Sequence, residues 1–300
     1  MRDLTGETAF ITGGASGIGL GMARAFLEAG VRVVVADIRP DHLDEAKREI
    51  GPTPDALFVQ LDVTDRAGFE HAADAAEARF GRVSILCNNA GVGVLGPLAA
   101  TRYADWDWTL AVNLGGVING VQTFLPRMLG RPGHIVNTSS IGGMLPMPGG
   151  PAYITSKAAV IGLSEALFSD LVDDGIGVTL LIPGPTQTNI HEVAKLRPAT
   201  FADTGLTDVE ARLAEGSIFP NGLPPIDSGR MVVQAIRDNQ LYLFSHNQFR
   251  QGVTERFEAI LTGFQPGPVD EAGAAKWGFP TYNHHFRKIV ADAATRGNAE

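Results

Sequence analysis

The chain has 300 residues, 44% of them hydrophobic and 19% charged, with a single cysteine, a composition that suits one large globular α/β domain. Its formal net charge of −9 argues against nucleic acid or an anionic membrane surface as a partner, because both need clustered Lys and Arg. Cys87 alone excludes an intrachain disulfide and a cysteine-based zinc site.

The first element is a short apolar strand, Ala9–Ile11, which closes on Thr12-Gly13-Gly14-Ala15-Ser16-Gly17-Ile18-Gly19. Ile18, Met22, Ala25, Phe26 and Ala29 then fall at helical spacing until Gly30 stops them. A β-branched run, Val31–Ala36, ends at Asp37, and further strands are predicted at Leu57–Leu61, Val83–Cys87, His134–Asn137 and Val178–Ile182. Helical patterns separate them, as in Phe69, Ala72, Ala73, Ala76 and Phe80, with Gly81 as the stop. Continuous apolar strands alternating with helices of this length predict a doubly wound, Rossmann-type parallel sheet with helices on both faces. Regularity fails at about 188–225, where Pro198, Pro220, Pro224 and Pro225 interrupt scattered apolar residues including Ile218 and Phe219. A long insertion just after a strand end is expected to be a substrate lid. A helix near Ser228–Arg237, a strand at Leu241–Phe244 and a helix carrying Phe249, Val253, Phe257, Ile260, Leu261 and Phe264 follow. Residues 1–266 are therefore expected to form a single domain, and the poorly patterned 267–300 a tail that packs on a neighbouring subunit. No apolar run approaches the ~20 residues of a membrane helix. The first strand begins without a basic-then-apolar leader, so a cytoplasmic location is expected.

Chemistry enters at the strand ends. A glycine-rich turn between strand and helix leaves backbone N–H groups free beside a helix N-terminus, and both favour a phosphate-bearing ligand. Gly13, Ser16, Gly17, Ile18 and Gly19 are the candidate residues. Asp37, 18 residues after Gly19, suits the ribose hydroxyls of an adenosine and repels a 2′-phosphate, so NAD is preferred over NADP. Arg39 is the dissenting residue, because it could swing toward a phosphate. Tyr153 and Lys157 stand four residues apart on a predicted helix and share one face. The unperturbed phenol pKa of ~10 should fall beside that ammonium, leaving Tyr153 able to exchange a proton with an alcohol or ketone. Ser140, thirteen residues before the tyrosine, would hold the same substrate oxygen. The histidines show no metal-ligand spacing, and no metal site is assigned.

These motifs resemble the short-chain dehydrogenase/reductase family over roughly residues 5–190. The resemblance implies further roles. Asp62-Val63 would hold the adenine ring, and Asn89 and Gly91 of Asn88-Asn89-Ala90-Gly91 would line the adenosine ribose. Asn113 would link Lys157, through a water, to a proton relay. Pro183-Gly184, Thr186 and Thr188 would bind the nicotinamide carboxamide, with Ser140, Tyr153 and Lys157 as the triad. Trp106, Trp108, Val112-Asn113-Leu114, Gly130-Arg131-Pro132-Gly133-His134 and Leu196-Arg197-Pro198-Ala199 are similar to a subgroup that includes the Cα-dehydrogenases of bacterial lignin-fragment catabolism, which oxidise benzylic secondary alcohols.

The reaction so implied is NAD-dependent interconversion of a secondary alcohol and a ketone. Val92, Val94, Ile141, Met144, Leu145, Met147, Ile190 and Val193, with Phe201 or Phe219, are the prospective pocket residues. Their apolar character suits a bulky, uncharged small molecule. Two rivals are an NADPH-dependent ketoacyl or carbonyl reductase of the same family and a catalytically silent nucleotide-binding scaffold. Many relatives end in a Gly-rich final strand, which Leu241-Tyr242-Leu243-Phe244 replaces. A homodimer or homotetramer through the long helices around Trp106–Met128 and Ala152–Asp170 is expected, and light scattering on the purified protein tests it.

Overall fold

In the computed structural model, which describes residues 1, 3–216, 219–278 and 280–297, seven parallel strands form one sheet in the order β3-β2-β1-β4-β5-β6-β7. Ile218 lies outside the described residues. The chain runs through β1 (Thr8–Thr12), α1 (Gly17–Glu28), β2 (Arg32–Asp37), α2 (Pro40–Ile50), β3 (Ala56–Gln60) and α3 (Arg66–Phe80), stepping toward one edge. It then crosses back for β4 (Ile85–Asn88), α4 (Tyr103–Leu110), α5 (Gly116–Met128), β5 (Gly133–Thr138), α6 (Ile141–Met144), α7 (Pro151–Leu171) and β6 (Ile176–Ile182). The reversal between β1 and β4 opens a crevice at the carboxyl ends of the strands, the place where such sheets bind ligands.

Strands β1, β4 and β5 are buried at every position, which explains their unbroken apolar character. Pairing is in register from Thr8↔Arg32 to Thr12↔Ala36 between β1 and β2, and from Ile85↔His134 to Asn88↔Asn137 between β4 and β5. Motifs at the ends of separate strands therefore share one rim. Phe10 packs beneath that rim between Phe124 and Phe69, at centroid distances of 4.6 and 6.4 Å.

Two expectations about helices change. The helix predicted over Trp106–Met128 is observed as α4, a wide π-type turn at Ala111–Gly115, and α5. Such turns are rare and cluster at functional sites; this one carries Asn113. The 188–225 segment holds α8 (Val193–Leu196), α9 (Thr207–Leu213) and two 3₁₀ turns, Ile190–Glu192 and Ala199–Phe201. Its ends meet, because Leu223 N–H donates to Pro185 O at 2.9 Å and Gln187 N–H to Leu223 O at 3.1 Å. α10 (Pro225–Arg237) and β7 (Tyr242–Phe244) follow and complete the sheet.

The chain divides into two compact units, Met1–Val253 and Thr254–Glu300. That division falls inside α11 (Arg250–Leu261), whereas the sequence pattern put it after residue 266. The second unit also holds α12 (Glu271–Ala274) and α13 (His284–Gly297). Asp270 caps α12 by accepting from Gly273 N–H at 2.8 Å. Phe257, Ile260, Leu261 and Phe264 are exposed. Among the described residues, no helix is long and apolar enough to cross a membrane.

Candidate active site

The loop after β1 is held from below by side chains at the end of β4. Thr12 Oγ1 accepts the N–H groups of Asn89 and Ala90 at 2.9 and 3.1 Å, and Asn89 Nδ2 donates to Thr12 O and Gly13 O at 3.1 and 3.3 Å. Asn88 Nδ2 reaches across to Asn137 Oδ1 at 2.9 Å. With its floor fixed, the loop turns through positive φ at Gly13 (60°) and Gly17 (49°), and a Cβ at Gly17 would meet Thr188 Cγ2 at 3.0 Å. Only glycine takes that conformation without strain. The first amides of α1 have no intrahelical acceptors, and its N-cap Ser16 makes no side-chain capping bond to them.

A cavity of about 460 Å³ opens above this loop. All the residues assigned from sequence to cofactor binding line it except Gly19, which lies behind Gly13 and within 2.0 Å of its oxygen if given a Cβ. At one end, buried Asp37 accepts Ala15 N–H at 3.2 Å and Arg39 N–H at 3.1 Å. Burial raises its pKa from the ordinary carboxylate value, and those two amides oppose the rise. Asp62 is held in a turn by Thr64, whose N–H and hydroxyl both donate to its Oδ1. Free helix-start amides, a glycine-rich loop and a carboxylate at the rim fit a dinucleotide.

The other end holds Ser140, Tyr153 and Lys157, all lining the same cavity. Pro151 starts α7 and places Tyr153 and Lys157 one turn apart. Lys157 Nζ is 5.9 Å from the centre of the Tyr153 ring and donates to Thr138 O at 3.0 Å. The helix is strapped to the end of β5 by Ser139 Oγ, which donates to Lys157 O at 2.7 Å. Burial draws the Lys157 pKa down to about 8. It also raises the Tyr153 phenol above its ordinary value, against a hydrogen bond with Ser140 that lowers it. The four-residue spacing to Lys157 predicts a depressed phenol. In the protein alone desolvation wins, because the phenolate and the ammonium are both penalised in the same dry pocket.

Asn113 does not line the cavity. Fully buried, it accepts Val92 N–H at 2.8 Å and donates to Val92 O and Ser156 Oγ, each at 3.0 Å. Its side-chain amide pins the loop after β4 against α7. A Cβ at Gly91 would meet Asn113 Oδ1 at 3.2 Å and Lys157 Nζ at 3.3 Å, so the three groups close around one point.

A family model described as short chain dehydrogenase matches residues 7–198 of the chain. The chain is a short-chain dehydrogenase. Members of this family use NAD(P) and act as oxidoreductases on CH–OH groups. The enzyme is 41% identical over 279 residues to a C alpha-dehydrogenase of Sphingobium sp. strain SYK-6, covering 91% of this chain and 92% of that one. Its fold is similar to LigD, in the apo form, from the same strain (38% identity, TM-score 0.73, 88% of this chain and 100% of that one). It is also similar to a short chain dehydrogenase/reductase from Burkholderia phymatum in complex with NAD (32% identity, TM-score 0.80, 90% and 99% covered).

The remaining walls of the dehydrogenase's cavity come from apolar side chains. Val92, Ile141, Met147, Ile190, Val193, Phe201 and Phe219 line it as expected. Val94, Met144 and Leu145 do not; they are packed into apolar clusters beside it. Leu95, Trp108, Ile154, Leu196 and Phe249 line it without having been singled out for the pocket. Trp108 had a signal, three residues after Asp105 on one helix face, but its depth depends on a partner far along the chain. Arg197, 7% exposed, pairs with Asp105 at 2.9 Å and with Glu210, and its guanidinium lies 4.7 Å over the Trp108 ring. This buried cluster ties the 188–225 segment of the enzyme to α4. Breaking it would leave two buried carboxylates without a cation. Arg197→Met is expected to cost about 3 kcal/mol and to lower Tm by roughly 6–12 °C. Differential scanning calorimetry measures this, and a shift within about 2 °C would assign the cluster no structural weight.

Proposed function

We propose that the enzyme interconverts a bulky, uncharged secondary alcohol and its ketone, using NAD, with Tyr153 as the general acid/base. The observation that carries the reading is the placement of Ser140, Tyr153 and Lys157 on the same cavity as the glycine loop and Asp37. Gly13, Ser16, Gly17 and Ile18 would hold the pyrophosphate, Asp37 the adenosine ribose, and Asp62 and Val63 the adenine. Pro183, Gly184, Thr186 and Thr188 would orient the nicotinamide. When bound, the dinucleotide supplies the hydride acceptor or donor. Ser140 fixes the substrate oxygen, and Tyr153 passes its hydroxyl proton to that oxygen in reduction or, as the phenolate, takes the proton from it in oxidation. Lys157 steadies the phenolate that remains, which offsets the burial penalty on Tyr153. Asn113 holds the loop that closes the site over Lys157.

Substrate class follows from the walls. Trp108, Val112, Ile190, Val193, Phe201, Phe219 and Phe249 present aromatic and aliphatic surface, and among the described residues no Lys or Arg other than Lys157 and Arg39 lines the cavity. A carboxylate or phosphate would be left without a counter-ion at the substrate end. Similarity to a C alpha-dehydrogenase supports an aryl-substituted carbinol. Residues 188–225, anchored by Arg197, would be the lid that excludes water.

Purified enzyme mixed with NAD and a panel of aryl and aliphatic secondary alcohols is expected to produce NADH, read by the absorbance of the reduced nicotinamide. Aryl carbinols should exceed short aliphatic alcohols by at least about ten-fold in kcat/KM, from the extra apolar area buried. Turnover restricted to carboxylate-bearing substrates would overturn the substrate class, and no turnover of any alcohol or ketone would overturn the reading itself.

A further inference from the structure

Arg39 lies two residues beyond Asp37, at the head of α2, and lines the same end of the cavity. An arginine there is the group that accommodates a 2′-phosphate in enzymes that use the phosphorylated dinucleotide. Three of the five N–H donors of its guanidinium are already engaged by carboxylates. Nε donates to Asp41 Oδ1 at 3.1 Å and Nη2 pairs with Asp41 Oδ2. Nη1 donates to Glu192 Oε2 at 2.5 Å. Asp41 is a local and exposed partner. Glu192 is neither: it stands 153 residues away in sequence, on the 3₁₀ turn that opens the lid. The side chains of Arg39 and Glu192 are only 18% and 20% exposed, so solvent screens this pair less than one on the open surface. Lys195 Nζ, donating to Glu192 Oε1 at 2.6 Å, holds the carboxylate in place, and His42 Nε2 stands 4.0 Å from its other oxygen.

We propose that Glu192 is a dinucleotide-selectivity residue: carried on the lid, it holds Nη1 of Arg39 and neutralises the guanidinium, so that the cation beside Asp37 is already committed to carboxylates and receives a 2′-phosphate poorly. The inference rests on the NAD reading above and adds a second device to it. Asp37 repels the phosphate. Glu192 removes the cation that would otherwise compensate, because a guanidinium edge held by one carboxylate is not available to another anion without breaking that bond. The lid thus bears on both ends of the cavity. Ile190 and Val193 face the substrate walls, and Glu192, between them in sequence, holds the adenosine end.

The test is a binding measurement without substrate. NADH and NADPH are titrated by nicotinamide fluorescence into wild-type protein, Glu192→Ala, Glu192→Gln, and Glu192→Ala combined with Arg39→Ala. In Glu192→Ala the NADPH dissociation constant should fall about ten-fold, the scale of one charge-assisted hydrogen bond. NADH binding within about two-fold of wild type shows that the fold and the Asp37 site persist. Glu192→Gln, which keeps an acceptor but loses the charge, should fall between. The gain should vanish in the double variant. An unchanged NADPH-to-NADH ratio in Glu192→Ala, or a gain that survives loss of Arg39, would overturn the role of Glu192 while leaving the NAD reading intact. Wild-type protein that binds NADPH as tightly as NADH would overturn the NAD reading itself, and this inference with it.

Discussion

Replacing Tyr153 with phenylalanine is expected to lower kcat by about 10³-fold, within the range of a positioned acid/base group, while NADH binding stays within about two-fold of wild type. The ring keeps its packing, so the variant tests the hydroxyl alone. Because burial raises the phenol pKa in the protein alone, the group is protonated at neutral pH and, in the proposed role, would donate to a ketone. In the oxidative direction it must first lose a proton, so wild-type alcohol oxidation should climb with pH. Steady-state kinetics in both directions measures the effect. A variant retaining more than about a tenth of wild-type kcat would remove Tyr153 from the proton transfer.

Lys157→Met should separate stability from activity. The Lys157 ammonium is drawn down to about 8 from 10.5 by burial. The unfolded chain therefore binds more protons than the folded one between those two values, and folding stability rises with pH across that window as the buried charge is discharged. Below about pH 8 the folded protein carries the full cost of burying the cation. Methionine removes that cost, and part of the gain is returned because Thr138 O loses its donor. The variant is expected to be more stable by roughly 1–3 kcal/mol at pH 7, with the difference from wild type closing as pH approaches 10.5. Activity should move the opposite way, falling by about 10²-fold or more because the phenolate loses its cation. Ketone reduction by wild type should decline above about pH 8, where Lys157 turns neutral, and that limb should be absent in the variant. Chemical denaturation at pH 7 and pH 10, set beside pH–rate profiles, reads both effects. Equal loss of stability and activity at pH 7 would mean that Lys157 is structural rather than chemical.

The opposing behaviour follows from one design. Ser139, Thr138 and Asn113 spend their hydrogen bonds holding α7 and the β4 loop around Lys157. The frame keeps an ionisable group almost fully buried at the wall of the cavity, at a cost in stability that the rest of the core supports. Arg197 plays the corresponding part for the 188–225 segment, pairing buried carboxylates from α4 and α9.

Strand and helix order, the glycine loop, Asp37 at a strand end and the Tyr153–Lys157 pair were all legible in the linear chain, because each depends on local rules. Apolar runs mark buried strands, glycine marks positive φ at Gly13 and Gly17, and a four-residue spacing puts two side chains on one helix face. Tertiary structure alone decided the rest. It buried Val94, Met144 and Leu145 in side clusters and brought Trp108 and Phe249 to the cavity. It joined Arg39 to Glu192 across 153 residues, and set Arg197 between Asp105 and Glu210. It also reversed the expected direction at Tyr153, since desolvation depends on everything packed around a group and not on its neighbour one turn away. Periodicity records which residues leave water; which partner each one then meets is settled only when distant segments close on one another.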